Sequence, residues 1–326
     1  MVDVSQLRAP LAFTPCYQSV VWGGRRMAQW RDDLPEGPIG ESWEISQQPR
    51  GMSVVESGPL AGTTLAQLME DCGRELVGNC YDGGDFPLLI KMIDANDRLS
   101  VQVHPDDDLA VKFDKGRRGK TECWFIIGDG GELFQGTVPG VDAAHFKQAI
   151  ADNQVEDCLN RFETKDGEFY FLPARTVHAL GTNTLLFEVQ QSSDCTFRVS
   201  DWGRVGLDGK PRELHVEESM QTIDFTDQHW GPISSEMHDH GDGGRIRELV
   251  SCNYFEVEER RAEQTRGRAD GRCSVVIVVE GGGELRTDGG SIAVSPMRSY
   301  LVPACAGDWE FESTGGEARL VVAQPR

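Results

Sequence analysis

Residues 100–108 read SVQVHPDDD, a run in which Gln102 and His104 alternate with two valines before Pro105 ends the pattern. Successive side chains of a β-strand point to opposite faces, so Ser100, Gln102 and His104 share one face while Val101 and Val103 share the other. The alternation predicts a strand with an apolar face and a chemically active one.

Working outward, the basic segment KFDKGRRGK (112–120) leads into TECWFII, which places Glu122 at the start of a new strand after a turn. Further on, GEFYFLPARTVHALGTN (167–183) is an aromatic strand that ends at Pro173 and carries His178 after a short turn. Two imidazoles and a carboxylate on a β scaffold form a divalent-metal set, to which a glutamine oxygen adds a neutral fourth donor. Gln102, His104, Glu122 and His178 are therefore the candidate ligands. Their charges sum to about -1, so a site holding Zn²⁺ stays positive and suits an anionic or hydroxyl-rich substrate. The competing reading makes the histidines hydrogen-bonded structural residues and Glu122 a surface carboxylate. His238 and His240 have the same H-x-H spacing but sit in SSEMHDHGDGGR (234–245), a stretch rich in Asp, Gly and Ser, and are read as a solvated loop.

The rest of the 326-residue chain is dominated by short β-prone runs punctuated by glycine, among them FPLLIKMID, NTLLFEVQQ, SVVIVVEG and ARLVVA. This pattern predicts a mainly β fold of sandwiches or barrels. Apolar residues at helical intervals interrupt it in TTLAQLMEDCGREL (63–76) and in VDAAHFKQAIADNQVEDCLNR (141–161). We expect a catalytic domain over 1–237 with a helical insert near 140–161, a linker at 238–245, and a smaller domain over 246–326. A formal charge of -21 argues against nucleic acid or an anionic membrane as partner. The amino terminus lacks a basic then apolar leader pattern, no run of about 18 apolar residues occurs, and the nine cysteines include no C-x-x-C pair, so a reduced cytoplasmic location is expected.

The segment GEFYFLPARTVHALGTN resembles the second cupin motif, with Gly167, Pro173, His178 and Asn183 in the motif's places, although Arg175 stands where the pattern has glycine and the last spacing is one longer. The first cupin motif, usually H-x-H with a later glutamate, becomes QVHP followed by GKTE. That departure, LSVQVHPDD with GKTECW, resembles the type I mannose-6-phosphate isomerases, as do VWGGRR (21–26), GESWEIS (40–46) and EVQQSSDCTFRVSDWGR (188–204). The likeness runs from about residue 20 to 205. It implies two cupin domains, jelly-roll-like β-barrels, the second degenerate, and one Zn²⁺ per chain held by Gln102, His104, Glu122 and His178. It further implies catalytic roles for Lys120, Glu188, Asp194 and Arg198, and places Ser100 and Lys91 on the phosphate side of the pocket.

The implied reaction interconverts mannose 6-phosphate and fructose 6-phosphate through an enediol. Lys120 or Glu188 would move the carbon-bound proton, Asp194 would assist ring opening, and Arg198 would put positive charge beside the developing oxyanion. Outside this resemblance, Lys120 is an ordinary turn lysine and Glu188 an exposed strand residue. In SIAVSPMRSYLVPACAGDWEF (291–311), Asp308 stands five residues after Pro303, where the first domain has His178 after Pro173, and no histidine follows His240. The second domain is thus expected to bind no metal. The cluster Lys112, Lys115, Arg117, Arg118 and Lys120 reads either as a solvated face or as a loop at the pocket mouth that attracts phosphate. Two other functions stay open: an iron-dependent cupin oxygenase using the His, Glu, His trio, and a sugar-phosphate-binding protein without turnover. The oligomeric state is not legible.

Overall fold

The computed structural model describes residues 2–226, 228–241, 244–268 and 270–326. Among the described residues the chain is mainly β, with sheets of eight, six, five and four strands built largely of antiparallel pairs. By internal contacts it divides into two units that are not contiguous in sequence. One comprises 1–16, 43–90 and 234–326; the other comprises 17–42 and 91–233. The sequence reading places a single cut at 238–245, a span of which residues 242 and 243 lie outside the described residues. The structure also sends 1–16 and 43–90 to the carboxy-terminal unit. The reason is long-range pairing: the strand Leu11–Thr14 pairs with Arg298–Val302, and Asn79 donates to the Gly271 carbonyl at 2.7 Å. Local composition carries no trace of either contact.

The unit of 17–42 and 91–233 holds every candidate site residue. Its first sheet includes Phe169–Leu172, Glu122–Ile126 and Thr184–Gln191 as neighbours in that order. Its second orders Phe197–Ser200, Val101–Val103, His178–Leu180, Gly131–Thr137 and Leu159–Thr164. Val101 and Val103 pack with Phe134, Phe197 and Val199 in an apolar cluster that the helix Ala143–Ala151 closes through Phe146. The opposite, polar side of the Val101–Val103 strand is thereby left for the site. The insert consists of this helix, capped by Asp142 accepting from His145 N, and a 3-10 turn Val155–Cys158. Two framing strands, Gly131–Thr137 and Leu159–Thr164, and two short helices, Asp107–Lys112 and Val216–Thr222, were not anticipated from the sequence. The other unit carries the helix Leu65–Val77, started by Thr64, and a core of Val276, Leu285, Tyr300, Trp309 and Phe311. Among the described residues no helix is long and apolar enough to cross a membrane.

Candidate metal centre and pocket

Sheet register sets the first row of side chains. His178 and Arg198 are the partners of Gln102 on its two sides, so the central strand presents Gln102 between them. In the other sheet Glu122 pairs with Gln190, and Trp124 with Glu188. The period of two then brings Glu122 and Trp124 to one face and Glu188 and Gln190 beside them.

His104, Glu122 and His178 offer ligand atoms that lie within 4.8 Å of one another, and all three are buried. Glu122 Oε1 is 3.1 Å from His178 Nε2 and 3.6 Å from His104 Nε2. The second ring nitrogen of each histidine is taken by a main-chain carbonyl: His104 Nδ1 is 2.8 Å from Cys195 O, and His178 Nδ1 is 2.8 Å from Thr176 O. A carbonyl accepts only, so Nδ1 carries the proton and Nε2 turns its lone pair inward, the arrangement that metal-bound imidazoles use. The Gln102 amide nitrogen reaches His178 Nε2 at 3.3 Å, and a half-turn of the amide exchanges its nitrogen for its oxygen.

Lys120 Nζ forms an ion pair with Glu122 Oε2 at 2.7 Å, and neither buried Glu122 oxygen has a hydrogen bond among the described residues. A buried carboxylate costs stability unless cations meet it, and Lys120 meets Oε2 while Oε1 faces only the two imidazole nitrogens. Two inward ring nitrogens, that carboxylate and a neutral amide are a donor set that fits a divalent ion. Burial, aided by the Lys120 ammonium, holds His104 down at about 3, so it is neutral and available as a ligand. Burial opposes ionisation of Glu122, but the Lys120 ammonium beside it holds it well below the usual carboxylate range.

The remaining candidates take distinct places. Lys120 is buried, 3.2 Å from His104 Nε2 and 3.9 Å from Glu188 Oε1. It therefore parts company with Lys112, Lys115 and Arg117, which are exposed. Glu188 is buried as well, accepts from Trp124 Nε1 at 3.1 Å and lies 3.2 Å from Lys91 Nζ, so the exposed strand residue of the bare sequence reading does not apply. Lys91 also lies 3.6 Å from Glu41. Ser100 is buried at the start of the Gln102 strand, and Asp194 is exposed in the turn that follows Thr184–Gln191. Arg198 is half-buried; its Nη1 donates to Glu213 O at 2.8 Å, while Nε has no partner among the described residues. Burial, with Arg212 nearby, pulls this guanidinium below its ordinary range.

Lys91 and Lys120 face Glu41, Glu122 and Glu188, a balance of one negative charge among these five that a dication reverses. Sequence reasoning missed Trp124, Glu41 and the Gln190–Gln191 pair. Trp124 had a signal, since it lies two residues beyond Glu122 on the same strand face. Among the described residues no second His, Cys, Asp or Glu cluster with metal spacing occurs.

Comparison with known proteins bears on this geometry. The family model described as phosphomannose isomerase type I, catalytic domain, matches residues 11–119. The chain is 35% identical over 309 residues, 94% of its length and 96% of the relative's, to the probable mannose-6-phosphate isomerase GmuF of Bacillus subtilis (strain 168). It is 32% identical over 320 residues to the mannose-6-phosphate isomerase ManA of the same strain, covering 96% of this chain and 98% of ManA. The crystal structure of the mannose 6-phosphate isomerase from Bacillus subtilis superposes with a TM-score of 0.87 at 32% identity, over 96% of this chain and 99% of that one. A putative mannosephosphate isomerase from Archaeoglobus fulgidus, at 20% identity and a TM-score of 0.78 over 97% of each chain, shares the fold.

Proposed function

The chain belongs to the type I phosphomannose isomerases, and from that membership we propose that it interconverts mannose 6-phosphate and fructose 6-phosphate through an enediol. The observation that carries this reading is the buried Glu122 carboxylate, orphaned of hydrogen bonds between two inward-facing imidazoles and a lysine ammonium. We assign one Zn²⁺ per chain to Gln102, His104, Glu122 and His178. When bound, the ion supplies Lewis acidity and a template for the two adjacent oxygens of the open-chain sugar.

The chain's own groups then have separate tasks. Lys120 or Glu188, which approach to 3.9 Å, passes the proton between C2 and C1. Arg198, whose buried Nε has no partner among the described residues, fixes positive charge where the substrate oxygen becomes negative. Asp194, exposed just beyond the strand Thr184–Gln191, assists ring opening. Ser100 and Lys91 serve the phosphate side, Lys91 as a charge already balanced by Glu41 and Glu188. The basic loop of Lys112 to Arg118 draws the anionic substrate toward a strongly acidic molecule.

Both units are taken as cupin barrels, with 246–326 a degenerate copy that holds no metal. Nine free thiols support a cytoplasmic enzyme. No contact in the site favours the iron oxygenase or the binder without turnover. Metal analysis of the purified chain, with fructose 6-phosphate isomerisation assayed before and after chelation, tests the proposal. Zinc near one per chain with chelator-sensitive isomerisation is expected; oxygen uptake on iron, or sugar phosphate binding without turnover, overturns it.

A further inference from the structure

Lys120 lies two residues before the strand Glu122–Ile126 and is held from outside it. The three consecutive main-chain N–H groups around it each have a defined acceptor. Gly119 N donates to Asp107 Oδ1 at 2.7 Å, Lys120 N to Pro105 O at 3.0 Å, and Thr121 N to Gln191 Oε1 at 2.8 Å. The two side chains in this set are joined to each other, since Gln191 Nε2 donates to the same Asp107 Oδ1 at 3.0 Å. Gln191 engages Thr121 a second time, its own N–H donating to Thr121 O at 3.1 Å.

The close approach is built into the sequence. A Cβ on Gly119 would lie 2.5 Å from Pro105 O and 2.5 Å from the Asp106 carbonyl carbon, so only glycine lets segments 105–107 and 119–121 run in backbone contact. His104 immediately precedes the first of these segments and Lys120 sits in the second. The cage therefore fixes the main chain from which Lys120 reaches the candidate metal ligands.

We propose that Asp107 and Gln191 are positioning residues for Lys120, which clamp the main chain on both sides of the lysine without touching substrate. The proposal rests on the role given to Lys120 above. A side chain displaced by about 1 Å costs about 100-fold in rate, which is the scale of effect a loosened clamp produces. A competing account makes Asp107 only an acidic residue in the first turn of the helix Asp107–Lys112, stabilising it through charge.

Three substitutions in the full metal-loaded chain, assayed with fructose 6-phosphate, separate these accounts. Asp107→Ala removes the shared acceptor at a half-buried position, whereas Asp107→Asn keeps an oxygen acceptor and loses the charge. The expected result is kcat lowered by about 10- to 100-fold in Asp107→Ala with KM changed less than about twofold, most of the loss recovered in Asp107→Asn, and metal content equal in both. Gln191→Ala should reproduce the Asp107→Ala loss. In a Lys120→Ala background, Asp107→Ala should remove little further residual turnover, because the clamp then has nothing to position. An unchanged kcat in Asp107→Ala overturns the clamp, as does an equal loss in Asp107→Asn or a loss that multiplies fully with that of Lys120→Ala. Full turnover in Lys120→Ala itself removes the lysine from the reaction and the clamp with it, an outcome distinct from an inactive Lys120→Ala beside a normal Asp107→Ala.

Discussion

Lys91 Nζ lies 3.2 Å from Glu188 Oε1, and both side chains are out of water. Burial alone would pull the lysine down, but Glu188 and Glu41 hold its ammonium above the usual lysine range. The charge that interrupts the apolar run FPLLIKMI is therefore structural before it is anything else, since it compensates two carboxylates beside the candidate metal site. Breaking one partner of a buried pair leaves the other uncompensated. Lys91→Met should cost about 3–5 kcal/mol by chemical denaturation, and adding Glu188→Gln should return part of it. A Lys91→Met protein as stable as the parent would show that the pair is not coupled.

How much of this was legible varies with range. The Gln102–His104 face was readable because alternation over four residues is a local signal, and Val101 and Val103 do go to the apolar cluster. His178 was readable from an aromatic strand stopped by proline. The Lys91–Glu188 pair spans 97 residues and had no signature beyond an odd lysine in an apolar run. The strand Gly131–Thr137 was missed because GELFQGT, with two glycines and three polar residues, has no apolar alternation; it is nonetheless buried throughout. The helix Asp107–Lys112 had its cap in plain view, Asp106 accepting from Leu109 N, but six residues are too few for a periodicity. Strand pairing also joined 1–16 and 43–90 to the carboxy-terminal unit, and no composition shift marks those joins.

Glu122 offers the sharpest test of the metal assignment. Its two oxygens lack hydrogen bonds, so Glu122→Gln removes the only charge in the proposed donor set while keeping its volume. Metal affinity should fall by more than about 100-fold, beyond the loss usual for residues that merely support ligands. Competition with a chelator of known affinity measures this directly. Retention of metal at parental affinity would place the ion elsewhere.

Gly136 predicts a packing effect close to the site. It adopts φ +66°, and a Cβ there would lie 2.1 Å from the Trp230 ring. It also interrupts the regular pairing between Gly131–Thr137 and Leu159–Thr164, one residue beyond Gln135, the sheet partner of His178. Gly136→Ala should therefore lower stability by at least about 1–3 kcal/mol from the backbone alone, with displacement of the indole adding to it. A thermal midpoint unchanged from the parent would mean that the strand relaxes freely, contrary to its full burial.

Acid should destabilise the metal-free chain in a defined window. His104 is held at about 3 in the folded state, first by burial and then by Lys120, against 6.5 for the ordinary side chain. Between those values the unfolded chain binds the extra proton, so the free energy of unfolding rises with pH across the window and is fully present above about 6.5. Glu122 adds to the same direction: its folded carboxyl is held well below 4.5, so its contribution is present above that value and lost as pH falls. The melting temperature of the chelated protein should thus drop steadily from pH 7 toward pH 4. Bound metal should oppose the fall, because it binds the deprotonated ligands of the folded state alone, and the two curves should converge as protons displace it. A flat profile in the chelated protein would mean that His104 is protonated or solvated in the fold, and the inward-facing imidazole would have to be abandoned.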